Sequence, residues 1–228
     1  MKRIVLFVEG DGDEVALPRL VKRLLTEQNV WAGGDIFLDE NPFRVGQVGN
    51  LLKNDCRKWK RWLAASVKRP SVGGVLLVLD GDAKTIHRKS FCAAAIAAQL
   101  ADEAKGQGGG RTFSVAVVFA RQEYESWLIP GLAAMAGRQL SNGRLIRPGA
   151  QLPTENLEEK RDTKGWINSI LEGGYRPTRD QAALTEMVDL QAIRNCKLRS
   201  FRRLEAALAE LVTAIREGVH VATPIPLS

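Results

Sequence analysis

Two short apolar runs, Ile4-Val5-Leu6-Phe7-Val8 and Val75-Leu76-Leu77-Val78-Leu79, carry no polar alternation. Strands with one face in water alternate, whereas short continuous runs rich in β-branched residues predict strands buried on both faces of a parallel sheet. Residues 112–119 have the same texture, and 35–38 form a shorter strand followed by an irregular stretch over 39–46. Between the strands the period changes. Val15, Leu17, Leu20, Val21, Leu24 and Leu25 recur at helical spacing as far as Gln28, with Pro18 near the first turn, where a missing N–H does least harm. Further helices are expected over 48–67, over the alanine-rich 86–105, and over 123–135. This alternation predicts parallel pairing through right-handed crossovers, and so an α/β core with a mainly parallel sheet flanked by helices over residues 1–136.

Beyond Gly137 the texture changes. Residues 141–151 are rich in Gly, Arg and Pro and read as a loop or mobile insertion. Helices are expected over 158–171, 180–193 and 200–217, with a break at Gly173-Gly174-Tyr175-Arg176-Pro177. Residues 137–228 therefore read as a helical C-terminal extension packed on the α/β core.

The chain has 228 residues, 45% of them hydrophobic, enough to bury a sizeable core. Its net charge of +7 favours polyanionic partners, and basic residues gather over 57–62, 84–89 and 194–203. Those runs suit a nucleic-acid surface or ordinary solvated helix faces. Cys56, Cys92 and Cys196 lie far apart, and with His87 and His220 they make neither a zinc signature nor a disulfide framework. The apolar run after Met1 is too short for a signal sequence, and no segment approaches a membrane span. A soluble cytoplasmic protein with no membrane partner is expected.

The chemistry sits where the strands stop. Val8 leads into Glu9-Gly10 and Leu79 into Asp80-Gly81-Asp82, and open α/β sheets bind ligands at the carboxyl ends of their strands. Glu9, Asp80 and Asp82 are thus candidates for one acidic site, with Asp13 or Glu14 and then Glu123 or Glu125 as further ligands. Oxygen-only clusters suit Mg²⁺ or Mn²⁺. Gly10 and Gly81 would leave room for a phosphate or metal to approach the backbone. Lys84, Arg88, Lys89 and Arg121, just past strand ends, are candidates to bind phosphate or nucleic acid.

Val8-Glu9-Gly10 with Asp13, followed by Leu79-Asp80-Gly81-Asp82, resembles the TOPRIM domain shared by topoisomerases, bacterial primases and nucleases of the overcoming-lysogenization-defect class. The resemblance covers about residues 3 to 120. Arg121-Gln122-Glu123-Tyr124-Glu125-Ser126-Trp127-Leu128 and the segment 196–204 look like a bacterial TOPRIM-like family of unknown function related to those nucleases. The resemblance implies a Rossmann-like TOPRIM core in which Glu9 is general base or metal ligand and Asp80 and Asp82 hold Mg²⁺. It further implies a metal-dependent nuclease partnered by a separate ATPase, since this chain carries no phosphate-binding Gly-x-x-x-x-Gly-Lys-Ser/Thr loop. The gate domain of a topoisomerase and the zinc module of a primase have no counterpart here.

Each assignment has a plainer reading. Asp and Gly after a strand are ordinary turn residues, and Asp13 and Glu14 suit a helix first turn without any ligand. Glu123 and Glu125, two apart, should not share one helix face. Trp59 and Trp62 could stack on bases but have the spacing of a packed helix face, and Trp127 reads as core. His87 is a phosphate contact or a surface residue. A non-catalytic module that binds nucleic acid or a partner protein is the alternative to a nuclease. A phosphatase reading of Asp80-Gly81-Asp82 fails at Lys84, where Thr or Val is needed, and a glycosyltransferase would leave Glu9 unexplained.

Overall fold

The structure is a computed structural model, and it describes residues 1–86 and 88–225. His87 therefore lies outside the described residues. The elements run β1 (Lys2–Val8), α1 (Asp11–Glu27), β2 (Ile36–Leu38), β3 (Phe43–Arg44), α2 (Val48–Leu51), α3 (Lys53–Ser66), β4 (Val72–Asp80), β5 (Thr85–Ile86), β6 (Lys89–Ser90), α4 (Ala93–Ala104), β7 (Ser114–Ala120) and α5 (Glu125–Ala133). They continue as α6 (Thr163–Ile170), α7 (Ala182–Met187), α8 (Leu190–Asn195), α9 (Arg199–Glu217) and β8 (Ala222–Thr223).

The central sheet has the order β2-β1-β4-β7-β8, with β3 continuing the outer edge of β1, and its pairings are parallel. Side chains alternate strictly between its faces. Ile4, Leu6, Val8, Leu76, Val78, Ala116 and Val118 enter one buried cluster, and Val5, Phe7, Val75, Leu77, Leu79, Val115 and Val117 the other. Both faces are dry, so the strands need no polar positions, as the continuous runs implied. The first cluster is completed by α1, α5 and α9, the second by α3 and α4. After β1 the chain moves outward to β2 and β3, then crosses back to place β4 on the other flank of β1. The direction of winding reverses between β1 and β4, which is where open α/β sheets form a ligand crevice.

The helical C-terminal region is present, but it is part of the same core. Leu204, Leu208 and Leu211 of α9 lie in one buried cluster with Ile4 and Leu76, and β8 pairs with β7 as a strand of the sheet. No described helix is long and apolar enough to cross a membrane.

Four local expectations are corrected. Residues 86 and 88–92 are not helical: Thr85–Ile86 and Lys89–Ser90 pair antiparallel, with Arg88 in the left-handed region at φ 65°, and the helix begins only at Ala93. Residues 39–46 contain β3, paired through Phe7↔Phe43 and Val8↔Arg44. Residues 141–151 are packed, with Ile146 fully buried and bridged to Leu171. The helix expected over 180–193 breaks at Val188, because the Asp189 side chain accepts the Gln191 and Ala192 N–H groups and so caps a new helix. Trp59 packs as core, edge-on to Phe7, with its indole N–H donating to the Leu100 carbonyl at 2.8 Å.

Candidate functional site

A pocket of about 330 Å³ opens at the carboxyl ends of β1 and β4, lined among others by Glu9, Asp13, Asp80, Glu125, Lys164 and Gln181. Each carboxylate is placed by a different structural reason. Glu9 is the first residue past β1, and its Oε2 accepts the Asp80 backbone N–H at 3.2 Å. Asp80 ends β4, and its Oδ1 accepts the Tyr124 N–H at 2.9 Å. Asp13 lies in the first turn of α1 and accepts the N-cap Gly10 N–H at 3.1 Å. Its other oxygen accepts from Gln181 Nε2 at 2.7 Å. Glu125 opens α5 and is almost fully buried, accepting the Tyr175 hydroxyl at 2.8 Å.

Lys164, in the first turn of α6, is the basic member of the lining. Its Nζ lies 2.6 Å from Glu123 and 3.6 Å from Glu125. Both glutamates reach it because Glu123 precedes α5, after Gln122 at φ 66°, so helical spacing does not separate them. The two do not share one helix face, and of the two only Glu125 lines the pocket. The Thr163 hydroxyl also donates to Glu123.

The electrostatics follow from packing acids together away from water. Burial, with the charges of Asp82 and Asp13, pushes Glu9 up to about 7 despite the Asp80 hydrogen bond. Burial and the surrounding Asp13, Glu125 and Glu9 raise Asp80 well above the carboxylate range. Asp13 and Glu125 are raised by burial as well, against opposing hydrogen bonds. Glu123 goes the other way: burial would raise it, but Lys164 and Thr163 hold it down. Burial alone would lower Lys164, yet Glu125 and Glu123 carry its ammonium above the ordinary value.

Other expected residues stand apart. Asp82 is exposed and outside the lining, near enough for its charge to act on Glu9. Glu14, half-buried on α1, is also outside it. Lys84, Arg88 and Lys89 are exposed on or beside the β5–β6 pair. Arg121 lines a different cavity and donates to the Glu158 carbonyl at 3.0 Å. Gly10 has the expected room, its nearest neighbour being Asp13 at 3.5 Å from an added Cβ. Gly81 does not: an added Cβ would sit 2.7 Å from the Ala120 carbonyl oxygen, so this glycine serves the close approach of β4 and β7.

Sequence reasoning missed Lys164, Gln181 and Tyr175. One signal existed for Lys164: a lysine in a helix first turn opposes the helix dipole and needs a compensating acid. Gln181 reaches the pocket, and Tyr175 reaches Glu125, only through tertiary packing.

A family model, described as a domain of unknown function (DUF4276), matches residues 8–209. The chain belongs to the DUF4276 family. That match runs across Gly137 and takes in Glu9, Asp80 and Lys164 alike, so both halves of the DUF4276 pocket lie within the family's extent. No curated protein and no solved structure matches the chain.

The donor set of this DUF4276 pocket is all oxygen, and its repelling acids fit a hard divalent cation better than a soft one. Among the described residues, no group of three or more His, Cys, Asp or Glu side chains is placed to hold a metal ion as they stand. The carboxylate oxygens are instead spent on Asp80, Tyr124, Gly10, Gln181, Tyr175 and Lys164.

Proposed function

We propose that this DUF4276 chain is a TOPRIM-like, divalent-metal-dependent nuclease that hydrolyses phosphodiester bonds of DNA or RNA. In this reading it acts in the cytoplasm with a separate ATPase, as part of a bacterial defence system. The observation that carries the reading is the pocket itself: Glu9, Asp13, Asp80 and Glu125 converge from separate parts of the chain at the β1/β4 winding reversal. Glu9, Asp13, Asp80 and Glu125 would hold Mg²⁺ or Mn²⁺. Such an ion, when bound, supplies charge neutralisation at the phosphate and a more acidic water.

The chain's own groups do the rest. Glu9, raised to about 7, can hold or release a proton at neutral pH from a carboxyl oriented by the Asp80 N–H. Lys164 places a positive charge at the wall of the pocket, where phosphate oxygens would enter. Lys53, Arg57, Lys58 and Arg61 line one cavity beside α3, and Lys84, Arg88 and Lys89, on or beside the β5–β6 pair, add further charge for a nucleic-acid backbone.

The test is cleavage of plasmid and of single-stranded DNA and RNA with Mg²⁺, Mn²⁺ or EDTA, in the native chain and in Glu9→Gln and Asp80→Asn. Metal-dependent cutting lost in both variants supports the nuclease. A non-catalytic nucleic-acid- or partner-binding module is the second reading, favoured by Lys164 already neutralising Glu123 and Glu125. It predicts neither cutting nor metal binding, and salt-sensitive retention of nucleic acid.

A further inference from the structure

A second cavity, of about 610 Å³, lies apart from the acidic pocket. It opens beside β7 beyond the point where β8 stops pairing, since β8 covers only Val115 and Ala116. Gly81, between Asp80 and Asp82, forms one end of its lining, so it adjoins the acidic site while drawing on other residues. Its volume falls within the range of about 300–1,000 Å³ typical of small-molecule sites.

The wall chemistry is divided. The apolar lining includes half-buried Phe91, set edge-on to Phe119 with ring centroids 5.5 Å apart, and Ala93, Ala94 and Ala97 of α4. The lining also carries three arginines, Arg121, Arg199 and Arg203, of which Arg121 donates from Nε to the Glu158 carbonyl. The Nε of Arg203 is buried without a hydrogen-bond partner among the described residues, although its terminal nitrogens are held by Glu210 and Thr223. Asn156, Glu158 and Glu159 also line the cavity. Carboxylates there disfavour a bare polyanion, but they can accept from hydroxyl and amino groups.

An occupant that is anionic at one end, flat and apolar in its body, and rich in hydrogen-bond donors satisfies all three kinds of lining residue. We propose that this cavity binds a nucleoside phosphate, its base against Phe91 and the α4 alanines and its phosphate toward Arg121, Arg199 and Arg203. The same chemistry is offered by a free nucleotide and by one nucleotide of a strand passing the acidic site. The inference goes beyond the metal-site reading and does not depend on it.

Calorimetric titration of the full chain in EDTA separates the two, because it needs no metal and no cleavage. The probes are AMP, adenosine, inorganic phosphate and a 5′-phosphorylated tetranucleotide. AMP is expected to bind, with adenosine and phosphate each weaker by about tenfold or more. Arg199 and Ala94 are exposed, so Arg199→Gln and Ala94→Leu should leave thermal unfolding unchanged. Arg199→Gln should weaken AMP about tenfold, and Ala94→Leu, which fills the apolar side, should abolish binding. A tetranucleotide tighter than AMP assigns the cavity to a strand, and one no tighter assigns it to a free nucleotide. No binding of either, binding unmoved by both substitutions, or phosphate or adenosine binding as well as AMP would overturn the proposal. Cleavage without nucleotide binding would remove the cavity's role and leave the nuclease standing, and the converse result would do the reverse.

Discussion

The Asp80 backbone N–H donates to the Glu9 carboxylate across 3.2 Å, joining the ends of β1 and β4 although 71 residues separate the two in sequence. Each therefore perturbs the other. Glu9 is oriented by the strand end that carries Asp80, and the Glu9 charge is one of the causes that raise Asp80. Holding acids this close is unfavourable in the absence of a counter-charge, and that gives the site measurable signatures.

Glu9 should make the metal-free protein less stable as pH rises. Its carboxyl is raised from 4.5 to about 7, so between those values the unfolded chain ionises while the folded one keeps the proton. Stability is fully present below about 4.5 and is lost as pH climbs through about 7. Asp39 and Asp180, both lowered, slope the opposite way, so the informative quantity is the difference from Glu9→Gln. Thermal unfolding in EDTA from pH 4 to 8 should show a shallower decline in Glu9→Gln. Parallel curves for the two proteins would refute the assigned shift.

Lys164→Met should leave Glu125 buried without its compensating cation. A loss of about 1–3 kcal/mol is expected from urea unfolding in EDTA. Millimolar Mg²⁺ or Mn²⁺ should return part of that loss if the carboxylates hold a divalent ion, because a ligand selective for the folded state stabilises it. A deficit untouched by either ion would count against the metal site and for the binding-module reading.

Tyr175→Phe removes the hydroxyl that donates to Glu125 at 2.8 Å in a buried setting. About 1–2 kcal/mol should be lost with an unchanged denaturant slope. A change in slope instead would mean that the segment around Gly173 and Gly174 had come loose.

Gly12 and Gly10 should respond differently to alanine. An added Cβ at Gly12 would collide with the Gln181 side chain and stand 2.9 Å from Pro177 Cβ, whereas at Gly10 the nearest atom is 3.5 Å away. Gly12→Ala should cost about 1–3 kcal/mol and disturb the Gln181–Asp13 hydrogen bond, while Gly10→Ala stays close to native. Equal melting temperatures for the pair would argue that the turn at Pro177 yields freely.

The sequence by itself determined the α/β class, the buried strands β1, β4 and β7, and the placing of Glu9 and Asp80 at strand ends. These follow from local physics. A strand dry on both faces has no polar positions, and a carboxylate directly after it lies at the rim of the sheet. It also indicated Asp13 and Glu125 as acids available to that rim. What the tertiary structure alone decided was which acids meet. Asp82 and Glu14, only one or two residues further along the chain than Asp80 and Asp13, do not line the pocket. Glu123 and Glu125 both reach Lys164 because the chain turns at Gln122 before α5 begins. Lys164, Tyr175 and Gln181 come from segments with no motif; packing of α6 and the turn at Pro177 against α5 and α1 brings Lys164 and Gln181 to the pocket, and the Tyr175 hydroxyl meets Glu125. The last strand was equally hidden: Ala222 and Thr223 show no alternation and no apolar run, and become a strand only because the edge of β7 offers unpaired backbone groups. Spacing along a chain reports periodicity and the ends of elements, whereas convergence depends on crossovers and packing that no local pattern records.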